Sequence, residues 1–204
     1  FVALADAMPH LEFAGVPTWG TTREDLDLLA SRPNITILPK VDDINDLLAQ
    51  TKVLLVPSVW AEARSRIVVE AMLAGVPVMA SNLGGLPEAK MHVPYILPVR
   101  GIEGYEQRLN EQFVPIADVP RQDITPWREA LERLAGDRQH WEDLSAQSRQ
   151  TALQYAETAT VVPFENYLGT LRRKTREFQT QHIEMPLGQL AKLSPERRKL
   201  LEMR

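Results

Sequence analysis

Apolar residues follow two different spacings along the first hundred residues. Short apolar runs, several of them rich in β-branched residues, have the pattern of strands in a parallel sheet. Between them lie segments of helical spacing that begin at N-cap residues, such as Thr22 and either Asp42 or Asp43. The alternation predicts an α/β fold, a Rossmann-like open parallel sheet with helices on both faces. The predicted strands are 11–16, 35–38, 53–56, 76–81 and 95–99, and the predicted helices are 1–8, 23–30, 43–50 and 66–74.

The pattern changes after residue 100. Scattered Gly, Pro and Gln residues over 101–121 predict an insertion or loop. Three helices are predicted to follow, over 127–134 with Pro126 at its start, over 138–155 and over 161–178. The first and third have apolar stripes that are predicted to pack into the core. The stripes are Trp127, Ala130, Leu131 and Leu134 in the first helix, and Phe164, Tyr167, Leu168 and Leu171 in the third. Pro186 and Gly188 interrupt the remainder, and Ser194-Pro195-Glu196 has the sequence of a helix start. We predict a domain over 1–178, followed by a linker or tail over 179–204 with a short terminal helix.

The most informative stretch is Val53–Glu88. A strand at 53–56, which we expect to be buried on both faces, a helix at 66–74 and a second strand make a right-handed βαβ unit. Two carboxylates lie within it, Glu62 in the first loop and Glu70 in a helix that is otherwise almost entirely apolar. A covered carboxylate needs a partner. The spacing leaves two alternatives for Glu70, an i,i+4 pair with Arg66 or a role as a ligand.

Four signals in this stretch occur in a fixed order. They are Pro57-Ser58, the Glu-x7-Glu spacing of Glu62 and Glu70, the sequence EAM-x-AG-x-PV over 70–78, and GGLPE over 84–88. Together they resemble the retaining glycosyltransferases of the GT-B architecture, family 4 (sucrose-synthase-like), in the C-terminal, donor-binding domain. The resemblance covers about 1–178. It implies that the first strand of this domain and the whole acceptor-binding domain lie outside the given sequence.

The resemblance implies a function and a set of site residues. The chain would be the donor-binding half of a hexosyltransferase-type enzyme that moves a sugar from a nucleotide diphosphate sugar, such as a UDP-sugar, to an unidentified acceptor. Glu62 would contact the transferred sugar near the reacting carbon, and Glu70 would hold the ribose hydroxyls. The other implied substrate-binding residues are Val41 at the base, Ser58, Arg64, Ser65, Arg66 and Ile67 around the helix start, and Gly84 and Gly85 along the sugar and diphosphate.

Two departures from the family bear on this expectation. Ala63-Arg64-Ser65 stands where the family has Gly-aromatic-Gly, and the basic R-x4-K-G element that binds the diphosphate is absent from the sequence. The fragment alone is therefore expected to be inactive in transfer. Two other functions remain open: a non-catalytic nucleotide-sugar-binding or scaffold module, and a nucleotide-sugar 2-epimerase.

Charge, composition and motifs limit the classes of partner and cofactor that we expect. A net charge of −4 gives no general attraction to nucleic acid, and no apolar run approaches the ~20 residues of a membrane span. The first residues lack a basic signal-peptide start, so we expect a cytoplasmic protein without a membrane span. The four histidines have no ligand spacing, the candidate loops contain no Asp-x-Asp, and no GxGxxG or P-loop occurs, so neither a metal nor another cofactor is expected. The final LSPERRKLLEMR resembles linkers of modular peptide and polyketide synthetases, which implies possible synthetase neighbours.

Overall fold

The computed structural model describes residues 1–18 and 20–171. The predicted fold class is confirmed, since parallel strands are flanked by helices, with further helices at the C-terminal end. The strands are β1 (Phe13–Gly15), β2 (Ile35–Ile37), β3 (Leu54–Val56), β4 (Val78–Ser81), β5 (Ile96–Leu97), β6 (Gly104–Leu109) and β7 (Pro115–Asp118). The helices are α1 (Val2–Ala7), α2 (Arg23–Ala30), α3 (Ile44–Leu48), α4 (Arg66–Leu73), α5 (Leu86–Ala89), α6 (Thr125–Gly136), α7 (Arg138–Thr158) and α8 (Val162–Thr170).

The chain divides into two compact units, Phe1–Thr160 and Val161–Arg204. The predicted tail over 179–204, its terminal helix and the end of the helix predicted over 161–178 fall outside the described residues. Among the helices of the described part, none has the length and apolar character that crossing a bilayer requires.

The first parallel sheet consists of β1 and β2, with Phe13 paired to Ile35 and Gly15 to Ile37. The helix between them, α2, begins at the predicted N-cap, where the Thr22 hydroxyl accepts from the Asp25 amide and the Asp25 carboxylate accepts from the Thr22 amide. This reciprocal capping box satisfies two backbone donors that a helix start otherwise leaves unpaired. Asp43, one of the two predicted caps, caps α3 with its carboxylate, which accepts from the Asn45 amide.

The second parallel sheet has the strand order β3-β4-β5. Its central strand β4 is buried at every residue, as its continuous apolar sequence predicts. The edge strand β3 differs from the prediction, because Leu54 and Leu55 are only half-buried and Val56 alone is buried. An apolar groove of about 670 Å³ runs along this edge and separates β3 from β1 of the first sheet.

The segment predicted as an insertion or loop over 101–121 contains an antiparallel hairpin of β6 and β7. Its turn is held by the Asn110 side chain, which accepts from the amides of Gln112 and Val114 at 3.0 and 2.9 Å. Both strands are largely exposed. The two strands were not predicted, because this hairpin lacks the clear apolar–polar alternation by which a half-buried strand is recognised.

Two helical stripes have opposite outcomes. In α6, Trp127, Ala130, Leu131 and Leu134 are all buried, as predicted. In α8, the predicted core stripe of Phe164, Tyr167, Leu168 and Leu171 is exposed, so the prediction of a core role was wrong. Helical spacing identifies the apolar face of a helix, but it does not supply the surface that covers that face.

Candidate functional site

Two loops that follow neighbouring parallel strands pack directly on each other. The loop after β3 carries Glu62, and the loop after β4 carries Gly84 and Gly85. The Gly85 amide donates to the Glu62 carbonyl oxygen at 2.7 Å. A Cβ added to Gly84, whose φ is +56°, would lie 2.3 Å from that oxygen, and one added to Gly85 would lie 1.6 Å from the Ala63 carbonyl oxygen. Glycine at both positions is thus what allows the two backbones to meet.

The Glu62 carboxylate lies at this junction in a half-buried position. The Ser58 hydroxyl donates to it, and the Ser58 carbonyl oxygen accepts from the Ser81 hydroxyl at 2.6 Å. Ser81 ends β4 and is fully buried, so these contacts connect the carboxylate to the end of the central strand. A carboxylate held in this way is oriented before any ligand arrives.

The helix α4 begins at Arg66, in the same loop-to-helix segment as Glu62. Its N-cap is Ser65, which is buried and makes no side-chain capping hydrogen bond. The first amide groups of α4, including those of Arg66 and Ile67, therefore have no side-chain acceptor from the cap. Free amides and the positive end of the helix dipole favour a negatively charged group at this position.

Glu70 lies one turn further along α4 and pairs with Arg66. The distance from Arg66 Nη2 to Glu70 Oε1 is 3.3 Å, and the Glu70 side chain is 33% exposed whereas that of Arg66 is 90% exposed. The first of the two alternatives for Glu70, the i,i+4 pair, is therefore present. So exposed a pair contributes at most about 0.5 kcal/mol, which leaves the carboxylate free to exchange Arg66 for another partner.

Arg64 has partners that the sequence did not indicate. Its Nη1 lies 3.0 Å from Glu88 Oε1, just beyond the glycine pair, and its guanidinium carbon lies 4.3 Å from the ring centroid of Tyr155. Tyr155 belongs to α7, far along the chain, and no local motif marks it. These two contacts connect the loop after β3 to α5, through Glu88, and to α7, through Tyr155.

Val41 follows a strand of the first sheet, whereas Glu62 follows a strand of the second. No hydrogen bond or ion pair within residues 1–18 and 20–171 connects Val41 to Glu62, Ser58 or the glycine pair, which together we call the Glu62 cluster. Ser58, Ser65, Arg66, Ile67, Gly84 and Gly85 are thus brought into one region with Glu62, Arg64 and Glu70, whereas Val41 is not joined to it by any such contact. The apolar groove is also separate, because none of these residues lines it.

The family model described as Glycosyl transferases group 1 matches residues 3–111, which is more than half of the 204 residues. No curated protein matches the chain.

Several solved structures share the fold at low sequence identity. HepE of Anabaena, crystallised with UDP and glucose, has a TM-score of 0.58 at 19% identity, over 82% of this chain and 44% of its own. A glycosyltransferase of Rickettsia africae has a TM-score of 0.54 at 16% identity, over 75% and 38%. A GtfA/B complex has a TM-score of 0.56 at 16% identity, over 82% and 31%. This chain therefore spans less than half the length of each of these structures.

Proposed function

The chain belongs to the group 1 glycosyl transferases, and from that membership we propose that it is the donor-binding half of a retaining transferase of family 4. The donor is a nucleotide diphosphate sugar, of which a UDP-hexose is the first candidate because HepE was crystallised with UDP and glucose. The bond between the sugar and the diphosphate breaks, a bond to an acceptor oxygen forms, and the acceptor loses a proton.

One observation carries this proposal: Glu62, the glycine pair and the N-terminus of α4 converge at the ends of two adjacent parallel strands. Ligands of parallel α/β sheets bind beyond the carboxyl ends of the strands. A diphosphate leaving group needs positive potential and hydrogen-bond donors, which the amides of Arg66 and Ile67 supply. The helix amides can provide both the positive potential and the hydrogen-bond donors without a metal ion, so we propose no metal.

The two carboxylates have different proposed roles. Glu62 lies against the glycine pair and would face the transferred sugar near the reacting carbon. Glu70, one turn from the helix start, would accept hydrogen bonds from the ribose hydroxyls in place of Arg66, since each carboxylate oxygen can accept from one hydroxyl. Ser58 would orient Glu62. Val41 would contact the base only if donor binding brings its loop to the site.

The rest of the enzyme lies outside this chain in the proposal. An acceptor-binding domain of the same protein would face the Glu62 cluster and bring the acceptor hydroxyl to the sugar. Synthetase modules as neighbours remain a proposal that rests on the last residues alone.

Titration calorimetry with UDP, GDP and ADP tests donor binding directly. We expect one nucleotide to bind, and we expect Glu70→Gln to weaken that binding about tenfold or more, because a hydrogen bond to a charged group is worth ~1.5–3 kcal/mol. Glu62→Gln should leave nucleotide binding nearly unchanged and reduce transfer by the intact protein. Glu24→Gln, at an exposed carboxylate on α2, is the matched control. Binding that Glu70→Gln does not alter contradicts the ribose role.

A second candidate function is a non-catalytic nucleotide-sugar-binding module. The observation that favours it is the engagement of Arg64 by Glu88 and Tyr155, which removes a cation otherwise available to the diphosphate. This alternative predicts that the intact protein binds the sugar nucleotide but neither transfers nor hydrolyses the sugar. Turnover that Glu62→Gln abolishes would exclude it.

A further inference from the structure

Trp60 lies in the loop after β3, two residues before Glu62, and it is 59% exposed. The other tryptophans that the structure describes, Trp127 and Trp141, are packed into the fold, and their indole N–H groups donate to backbone carbonyl oxygens at 3.1 and 2.8 Å. By contrast, the side chain of Trp60 makes no hydrogen bond, ring–ring contact or cation–π contact within residues 1–18 and 20–171. Its ring and its N–H are therefore both available to a ligand.

The backbone around Trp60 is held firmly although the side chain is exposed. The Trp60 carbonyl oxygen accepts from the Glu62 amide at 3.0 Å, and the Val59 carbonyl oxygen accepts from the Ile102 amide at 2.9 Å, at the root of the β6–β7 hairpin. The Ser58 carbonyl oxygen is bonded to the buried end of β4. An aromatic side chain on such a backbone loses little conformational freedom when a ligand stacks on it, which lowers the entropic cost of binding.

The loop after β3 places Trp60 next to the proposed reacting centre. Along this loop Val59 contacts the hairpin root, Glu62 contacts the glycine pair and Ser65 begins α4. The proposed function puts the diphosphate of the donor at α4, so Trp60 precedes Glu62 on the hairpin side of the loop. Two residues span at most about 7 Å. A group bound on the Trp60 ring is therefore adjacent to the sugar that Glu62 is proposed to contact.

We propose that Trp60 binds the acceptor and that this acceptor is a saccharide, one pyranose ring of which stacks on the indole. This inference rests on the proposed function. The C–H groups on one face of a pyranose are apolar and weakly positive, so they complement the negative face of the indole ring. A hydroxyl at the edge of the pyranose can accept from the free indole N–H. Stacking would hold the acceptor hydroxyl beside the reacting carbon before transfer.

The surroundings of Trp60 favour a saccharide over a lipid chain. The neighbouring hairpin is polar, with an exposed ion pair of Arg100 and Glu103 at its root and another of Arg108 and Glu106 on β6, each at 2.6 Å. An alkyl chain would need a continuous apolar patch. Sugar hydroxyls, by contrast, can exchange hydrogen bonds with carboxylate and guanidinium groups of this kind.

Nuclear magnetic resonance of the intact protein, labelled with ¹⁵N-tryptophan, tests the proposal. Each indole N–H gives one signal, and the signal that is lost in Trp60→Phe is that of Trp60. The probes are the methyl glycosides of glucose, galactose, mannose and rhamnose, added in the presence of the nucleotide that calorimetry identifies. We expect at least one glycoside to shift the Trp60 signal to saturation and to leave the signals of Trp127 and Trp141, the internal controls, unchanged. If no glycoside shifts the Trp60 signal, the proposal is refuted.

Variants separate stacking from a general effect on the fold. Trp60→Ala should weaken binding of the selected glycoside by about tenfold, because a ring stacked on an aromatic platform loses its contact surface. Trp60→Phe, which keeps an aromatic face, should weaken it by about threefold or less. Phe113→Ala is the matched control, since Phe113 is 83% exposed at the turn of the hairpin, beside α2 rather than Glu62. Equal glycoside affinities of Trp60→Ala and wild type would overturn the proposal.

Two further results would assign the ring to another contact, and either would overturn the proposal. Protection of the Trp60 signal from a soluble paramagnetic agent in the unliganded intact protein would show that another part of the polypeptide covers the ring. A loss of affinity of Trp60→Ala for UDP-glucose but not for UDP would assign the ring to the transferred sugar. The two proposals fail separately: absence of nucleotide binding contradicts the proposed function, whereas nucleotide binding without any glycoside effect at Trp60 contradicts only the saccharide acceptor.

Discussion

A buried lysine provides the sharpest test of the packing. Lys90 follows α5 and is fully buried, and its Nζ donates to the Val78 carbonyl oxygen of β4 at 2.6 Å. None of the ion pairs among the described residues includes it. Burial lowers the pKa of Lys90 from 10.5 to about 7, because an ammonium without a counter-ion is poorly solvated in an apolar interior.

This pKa determines how stability depends on pH. Between pH 7 and 10.5 the unfolded chain binds more protons at Lys90 than the folded chain, so this group makes the free energy of unfolding rise with pH. Above about pH 10.5 Lys90 does not reduce the free energy of unfolding, because it is neutral in both states. As the pH falls towards 7, the free energy of unfolding decreases. With pKa values of about 7 and 10.5, the linkage relation gives a gain of about 3 kcal/mol between pH 6 and pH 9.

Lys90→Met removes the titrating group and keeps much of the side-chain volume. We expect the variant to be more stable than the wild type at pH 6. Keeping the Lys90 ammonium charged in the interior costs the wild type about 4 to 5 kcal/mol, which exceeds the ~1–3 kcal/mol for leaving the Val78 carbonyl oxygen unpaired in the variant. The advantage should shrink by about 3 kcal/mol at pH 9. Loss of the hydrogen bond and of packing affects both pH values alike, so the pH dependence isolates the ionisation.

Urea denaturation of both proteins at four pH values between 6 and 9 measures this difference. Lys40→Met, which removes an exposed ammonium from the loop after β2, is the control for a change in net charge. The reasoning is refuted if the stability difference between Lys90→Met and the wild type is the same, within about 0.5 kcal/mol, at pH 6 and pH 9.

Three further changes test other parts of the structure. Asn34→Ala should lower the free energy of unfolding by about 1–3 kcal/mol, since the buried amide of Asn34 donates to three backbone carbonyl oxygens of residues 5–11; an unchanged urea midpoint would contradict this. Gly85→Ala should lower the free energy of unfolding by more than about 1–3 kcal/mol and abolish nucleotide binding, because the added Cβ would overlap the loop after β3. Gly104→Ala is the control and should have neither effect, because there is open space around Gly104. Arg64→Ala should cost about 1–2 kcal/mol in urea denaturation, from its exposed ion pair and its contact with the Tyr155 ring; a loss of nucleotide affinity above tenfold would show that Arg64 also binds the diphosphate.

The sequence was sufficient wherever the deciding interactions are local. The capping box at Thr22 involves two residues three positions apart, and the stripe of α6 repeats within two turns of helix. The order of strands and helices follows from the same short-range patterns. The loops that carry Glu62 and the glycine pair follow adjacent parallel strands, so their proximity was also predictable.

Other features depend on residues that are distant in the sequence. The partner of Arg64 on α7 is more than ninety positions away, and the exposure of the α8 stripe depends on whether another surface covers it. The sequence also did not indicate that Lys90 is buried, because a lysine next to a short helix is usually exposed. The hairpin of β6 and β7 was missed because it lacks a buried face.

The sequence by itself determined the fold class, the helix starts and the region where two loops meet, because hydrophobic periodicity and capping are properties of neighbouring residues. Only the tertiary structure decided how the parallel strands divide between two sheets and what each charged side chain contacts. The division into two sheets with an open groove between β1 and β3 is a property of strand pairing, and a strand's own sequence does not specify its neighbours.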